Sequence, residues 1–270
     1  MGGADASWPA VGIVTGASAG LGRAFALELA KGGTSVAVVA RRRAELDETA
    51  ALVRAYGVRC EAIVGDVTEA GLARRVVDHA ETTLGPVDVL VANAAVLGLG
   101  SIADIDPVAW RRTIEIDLVA PMMWNQAAIA VMRLRRLGRI VNVTSVGSIT
   151  RQPFGSAYCA AKAGLNQLTA CLAGEVADDG IVVFALSPAA HTAMGRELYE
   201  NDVMPEAQKA GYRALMETAA DGLAAESLEL FRFLMTGEAD RLSGEYLGLN
   251  AGRAFDTPGH LRARLASLAS

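Results

Sequence analysis

The chain has 270 residues, 52% of them hydrophobic and 20% charged, with a formal net charge of −5. That length holds one large α/β core without requiring a second, and the charge argues against a nucleic-acid or anionic-membrane partner. The apolar runs are too short and too interrupted by charge to span a bilayer, the N-terminus lacks the basic start and apolar core of a secretory leader, and Cys60, Cys159 and Cys171 are scattered, so a cytoplasmic protein with reduced thiols is expected. His79, His191 and His260 do not cluster either, and no metal site is expected.

Residues 1–10 are expected to form a flexible end, residues 11–252 one domain, and residues 253–270 a tail in which "HLRARLASL" has the pattern of a short amphipathic helix. A strand is predicted over 11–15, followed at once by "TGASAGLG" and a helix over 21–31. Gly16, Gly20 and Gly22 would let the backbone turn tightly against a pyrophosphate, and a helix starting near Leu21 aims its N–H groups at that anion. Such a turn alone is weak, since many strand–helix junctions use glycine for packing. The strand–turn–helix setting makes dinucleotide binding the stronger reading.

The second strand, 35–40, runs into Arg41, Arg42 and Arg43 with no acid before Glu45. An acid there would accept the adenosine-ribose hydroxyls of NAD, whereas arginine accommodates the 2′-phosphate of NADP. NADP(H) is therefore expected over NAD(H), with Arg41 as the first choice of ligand and Arg42 the second. The bland alternative, a solvated basic helix start, is disfavoured by the helix dipole. After a helix over 44–56 and a strand over 60–64 comes Asp66, placed either to accept from an adenine amino group or to serve as a loop acid. A helix over 69–83 and a strand over 87–92 lead to Asn93 in "LVANAAV". Asn93 is a natural turn former, and small Ala94 and Ala95 leave room for a cofactor.

A long helix is predicted over 107–133, then a fifth strand over 139–144 that ends at Ser145, then a helix over 157–178. That helix opens with "SAYCAAKAGL", which puts Tyr158 and Lys162 one turn apart on one face. Only three of the 25 basic residues are lysine, so a lysine here has a reason. A nearby ammonium favours the phenolate and lowers a phenol pKa from roughly 10. It is also better suited than the rigid fork of arginine to touch a phenolic oxygen and a ribose hydroxyl together. Ser145, thirteen residues before Tyr158, could bond a substrate carbonyl, with Thr144 and Ser148 as competing hydroxyls. Strands over 181–187 and 245–249 complete a set of seven. Nearly continuous apolar strands alternating with helices indicate an α/β doubly wound parallel sheet, helices on both faces, with ligands at the C-terminal strand ends. The stretch 191–225 breaks the alternation and reads as a helical flap over the site.

With these motifs in order, "TGASAGLG", "GDV", "ANAA", a serine thirteen residues before "YCAAK", "SPAAHT" and "LSGEYLGLNAG", the chain resembles the short-chain dehydrogenases/reductases (SDR) over nearly its whole length. The resemblance implies a single-domain Rossmann fold and an NAD(P)-dependent oxidoreductase. It implies that Tyr158 is the general acid/base, that Lys162 lowers its pKa and binds ribose, and that Ser145 orients the substrate. It also implies that Thr15, Gly16, Ser18, Gly20, Leu21 and Gly22 meet the phosphates and adenosine, Asp66 and Val67 the adenine, Asn93 and Ala94 the adenosine side, and Pro188 and Thr192 the nicotinamide. Three positions depart from the family pattern: "ANAA" replaces "NNAG", Pro188–Ala189 replaces "PG" with one residue fewer before Thr192, and Asp117 stands where an asparagine supports the lysine through water.

The expected activity is NADP(H)-dependent interconversion of a ketone and a secondary alcohol on an apolar small molecule. Leu97, Leu99, Phe154, Met194 and Leu198 suggest the apolar pocket, with Arg151 and His191 as candidate polar contacts. An NAD-dependent alcohol dehydrogenase, an isomerase or dehydratase using the same tyrosine, and a silent cofactor-binding sensor remain as alternatives. Met122, Met123, Trp124, Leu168 and Leu172 exceed what one sheet face needs, and the resemblance implies that their helices pair in a homodimer or homotetramer.

Overall fold

The sheet follows from runs of apolar, mostly β-branched residues that bury both faces. The computed structural model describes residues 8–191, 193–197, 199–207, 209, 210, 213, 222, 223, 225–249 and 254–267. Its strands are β1 Val11–Thr15, β2 Ser35–Ala40, β3 Cys60–Val64, β4 Val89–Ala92, β5 Gly138–Val143, β6 Ile181–Ser187, β7 Ala190–His191, β8 Gly222–Leu223 and β9 Tyr246–Gly248. Seven of them pair in parallel in the order β3-β2-β1-β4-β5-β6-β9, the doubly wound arrangement implied by the sequence. Strands β7 and β8 form a separate antiparallel ribbon that joins the two ends of the expected flap. Chain order reverses between β1 and β4, and the crevice at the C-terminal ends of these strands is where ligands bind in such sheets.

The helices are α1 Gly20–Lys31, α2 Arg43–Arg54, α3 Leu72–Thr83, α4 Pro107–Ile114, α5 Ala120–Arg135, α6 Ser156–Val176, α7 Ala193–Glu197, α8 Ala225–Met235 and α9 Pro258–Ser267. One sheet face is covered by Phe25 and Leu29 of α1, Leu46 of α2, and Phe231 and Leu234 of α8. Phe25 and Phe231 meet at 4.6 Å between ring centroids. The other face carries Leu72 and Val76 of α3, Trp124 and Met132 of α5, and Val176 of α6.

Three expectations are corrected. The helix expected from residue 69 starts at Leu72, because Gly71 before it has φ +75° and cannot belong to a right-handed helix. The continuous helix expected over 107–133 is broken into α4 and α5 by a π-helical turn, Glu115–Val119, that contains Asp117. Trp124 is not surplus to the sheet: it is buried in the core and its indole N–H donates to the Val67 carbonyl. The short helix expected in "HLRARLASL" is present as α9, packed on the core with Leu261 buried and Arg262 paired to Glu238. Among the described residues no helix is long and apolar enough to cross a membrane.

Candidate active site

A cleft of about 490 Å³ runs along the C-terminal ends of β1, β2, β4 and β5. At one end are Arg41, Arg42 and Asp66, in the middle the turn Gly16–Gly22, and at the other end Tyr158 and Lys162. The turn is shaped as a cradle by its glycines. Gly16 has φ +67° and Gly20 φ +55°, which side-chain-bearing residues rarely adopt. A Cβ on Gly22 would lie 2.3 Å from the Gly16 carbonyl oxygen and 2.6 Å from the Asn93 amide nitrogen. Space above Gly20 is open, and the first N–H groups of α1 face it without a side-chain cap. An uncapped N-terminus behind a bare, left-handed turn fits the pyrophosphate of a dinucleotide.

The rear of this cradle is pinned by Thr15 and Asn93. The Thr15 hydroxyl accepts from the Asn93 and Ala94 backbone N–H groups at 2.9 and 3.1 Å, and the Asn93 side chain donates to the Thr15 carbonyl at 2.9 Å. Asn93 and Ala94 still line the cleft, whereas Thr15 is buried behind it. Ser18 accepts from Arg42 at 3.2 Å, and the Ser18 carbonyl accepts from Arg23 at 2.8 Å. Arg42 also pairs with Glu45 at 3.1 Å. Arg41 is exposed and makes no hydrogen bond or ion pair among the described residues.

Asp66 already has partners. One oxygen accepts from the Thr68 backbone and hydroxyl, and the other from Arg112 at 2.5 Å. Partial burial pushes its carboxyl up, but the Thr68 bonds and the charges of Arg112 and Arg41 outweigh that and hold it below the usual carboxylate range. Val67 lines the cleft beside it.

At the far end, α6 brings Tyr158 and Lys162 against the end of β5. The Lys162 ammonium donates to the Val143 carbonyl at 2.9 Å and lies 3.6 Å from the Asp117 carboxylate. It is 5.7 Å from the centre of the Tyr158 ring. Asp117 is fully buried, and its other oxygen accepts the Val96 N–H at 2.9 Å. Burial raises the Asp117 carboxyl to about 6, with Lys162 and the Val96 N–H pulling it back. Burial lowers the Lys162 ammonium, with Asp117 opposing. Burial also raises the Tyr158 hydroxyl above its ordinary range; Ser145 opposes that and Asp117 adds to it. Burial and Asp117 therefore work against the acidification of Tyr158 expected from Lys162, whose charge is shared with Asp117.

The Ser145 hydroxyl accepts from the Gly147 N–H at 3.1 Å and is also a hydrogen-bond partner of the Tyr158 hydroxyl. Its loop is braced from α6: Thr144 donates to Asn166 at 2.6 Å, Asn166 to Ser148 at 2.7 Å, and Ser148 to the Ser145 carbonyl at 2.5 Å. Leu97, Leu99 and Met194 cluster with Tyr158, giving the cleft an apolar end. Phe154, in the left-handed region at φ +67°, lends its carbonyl to the Gly100 N–H and ties the two loops beside this end together. Ser145, Asp117 and Pro188 lie behind or beside the cleft rather than on its wall. Thr192 and Leu198 lie outside the described residues.

A model of the short chain dehydrogenase family matches residues 10–203. The chain belongs to the short-chain dehydrogenases/reductases. It is an NAD(P)-dependent oxidoreductase acting between alcohols and ketones. It is 31% identical over 241 residues to the 2-(S)-hydroxypropyl-CoM dehydrogenase 3 of Xanthobacter autotrophicus, covering 88% of this chain and 94% of that one. It is 34% identical over 246 residues to the cis-4-hydroxycyclohexanecarboxylate dehydrogenase of Sinomonas cyclohexanicum, covering 90% and 95%. The crystal structure of an NAD⁺-bound xylitol dehydrogenase superposes with a TM-score of 0.79 at 26% identity, covering 88% and 96%.

In this short-chain dehydrogenase/reductase, several site residues carry no sequence signal. Arg112 reaches Asp66 from α4, and Glu197 of α7 lines the cleft beside Met194. Arg23 and Asn166 brace the glycine turn and the Ser145 loop. Each acts through a long-range contact, and only Asn166 was within reach of inference, as the next residue on the face that carries Tyr158 and Lys162.

Proposed function

We propose that this protein is an NADP(H)-dependent ketoreductase for an apolar small molecule, with Tyr158 as general acid/base. One observation carries the reading: Tyr158, Lys162 and the glycine cradle share one cleft with an apolar end. The bound nicotinamide supplies or accepts a hydride. The Ser145 hydroxyl, beside that of Tyr158, bonds the substrate oxygen, and Tyr158 gives that oxygen its proton in reduction or takes it in oxidation. Lys162, anchored on the Val143 carbonyl, addresses the ribose. Gly16, Ser18, Gly20, Leu21 and Gly22 hold the phosphates, Val67 and Asp66 the adenine, and Asn93 and Ala94 the adenosine side.

The preference for NADP(H) rests on Arg41. It is an exposed guanidinium at the β2 end of the cleft, unpaired among the described residues, and the carboxylate at that end, Asp66, is already held by Thr68 and Arg112. Hydroxylated carbon substrates in the names of two relatives favour the secondary-alcohol class. Free Cys60, Cys159 and Cys171 suit a reducing cytoplasm. Residues 11–252 act as one catalytic unit, and it assembles as a homodimer or homotetramer.

The test is turnover of a panel of cyclic and acyclic ketones with NADPH and NADH. Ketone loss should match cofactor oxidation, with NADPH favoured. Tyr158→Phe should lower kcat by about 100-fold or more while cofactor binding, read by fluorescence, stays within a few-fold. Arg41→Asp should cut the NADPH preference by about 10-fold or more. Near-normal activity of Tyr158→Phe would sink the assigned acid/base. Equal or better kcat/KM with NADH would sink the cofactor assignment alone.

A further inference from the structure

The buried pair behind the cleft is a charge-cancelling device. Asp117 and Lys162 are 0% and 2% exposed and 3.6 Å apart. The Asp117 oxygen that faces Lys162 has no hydrogen-bond donor of its own among the described residues, so the ammonium is its only compensation. The other oxygen is fixed by the Val96 N–H. That bond, and the π-turn that swings Asp117 inward, hold the carboxylate in place. Among the described residues no other charge competes from the packed elements. From α6 Asp117 meets Lys162 and Tyr158; from the loop after β4 it meets a backbone N–H. The neighbouring Arg112 pairs with both Glu115 and Asp66. Tyr158 in turn is faced by Ser145, Asp117, Cys159 and Tyr246.

A lone buried ammonium would stabilise a phenolate beside it, whereas an ammonium paired with a carboxylate presents little net charge. We propose that Asp117 is a positioning residue that offsets the Lys162 charge and thereby keeps Tyr158 a proton donor, biasing the site toward carbonyl reduction. The inference rests on the reading of Tyr158 as the acid/base. In that direction the carbonyl carbon gains the hydride, its oxygen takes the Tyr158 proton, and the phenolate left behind is reprotonated from water.

The test reads Tyr158 without turnover. The full chain is labelled with [¹³Cζ]tyrosine, the Tyr158 signal is assigned with Tyr158→Phe, and its shift is followed against pH. In Asp117→Asn, where the amide oxygen still accepts the Val96 N–H, the Tyr158 ionisation constant should rise at least tenfold. An unchanged or smaller constant overturns the proposal. A wild-type measurement stands beside it: [¹³Cγ]aspartate labelling should show Asp117 ionised at pH 8, and a carboxyl still protonated there also overturns the proposal. Failure of ketone turnover with both titrations as expected would discard the ketoreductase reading and leave the charge pairing intact.

Discussion

Asp117 costs the protein stability, and the sign of that cost is testable. Its carboxyl is raised to about 6 by burial, above its ordinary 3.8. A raised folded-state pKa gives stability that is fully present below the unfolded value and is lost as pH rises through the folded one. Between pH 4 and pH 6 the ionisation of this residue therefore removes stability. Asp117→Asn keeps the Val96 bond and does not ionise, so its urea unfolding free energy should exceed that of the wild type at pH 8. The two proteins should converge below pH 4. A variant less stable than the wild type at pH 8 would mean that the ion pair outweighs its burial. At this scale the sequence showed the Tyr158/Lys162 spacing and the odd acid at position 117. It could not show that the ammonium is spent on the Val143 carbonyl and Asp117, because both contacts cross from α6 to other elements.

Elements were legible where pattern alone decides them. Strands β1, β2, β3 and β6 match their predicted bounds because each is apolar and ends at a turn residue or an uncapped helix start. The π-turn was not legible: its residues are ordinary helix formers, and the extra residue is absorbed by packing α4 and α5 against α6. The pairing of Arg112 with Asp66 was equally invisible, since an arginine on an exposed helix face has no distinguishing neighbours. The turn between β1 and α1 gives the sharpest element-level test. An added Cβ on Gly22 meets the Gly16 carbonyl at 2.3 Å, a backbone atom that is itself fixed by the Thr15–Asn93 bonds. Gly22→Ala should therefore lose about 1–3 kcal/mol in urea unfolding and bind cofactor at least 10-fold more weakly. Gly20→Ala meets open space but a left-handed backbone, so its loss should come from φ strain, about 1 kcal/mol. Equal, wild-type binding in both would remove the cradle from the site.

For the whole molecule, the reading turns on what covers the α5–α6 face. The sheet's needs are met on the inner side of these helices by Trp124, Met132 and Val176. Their outer sides leave a groove of about 470 Å³ lined by Met122, Ile129, Leu168 and Leu172. Met122 is 40% exposed, and the amide of Asn125 is buried at the groove without a hydrogen-bond partner among the described residues. An apolar groove with an unsatisfied amide is unfavourable in water and suited to a second copy that fills it and supplies a polar partner. A stable homodimer buries on the order of 2,000 Å², and the two long helices, which run side by side in the same direction, offer a face for it. Light scattering at micromolar concentration should give at least twice the 28.1 kDa chain mass. Met122→Glu combined with Leu168→Glu places charges in the groove without touching the core beneath, so it should shift the mass toward one chain and leave cofactor binding within a few-fold. The catalytic groups Tyr158 and Lys162 lie on the first turns of α6 and Leu168 farther along it, so a loss of turnover with intact binding in this double variant would show that assembly steadies the helix that carries the chemistry. A wild-type protein that is monomeric at that concentration would leave the groove without its proposed occupant.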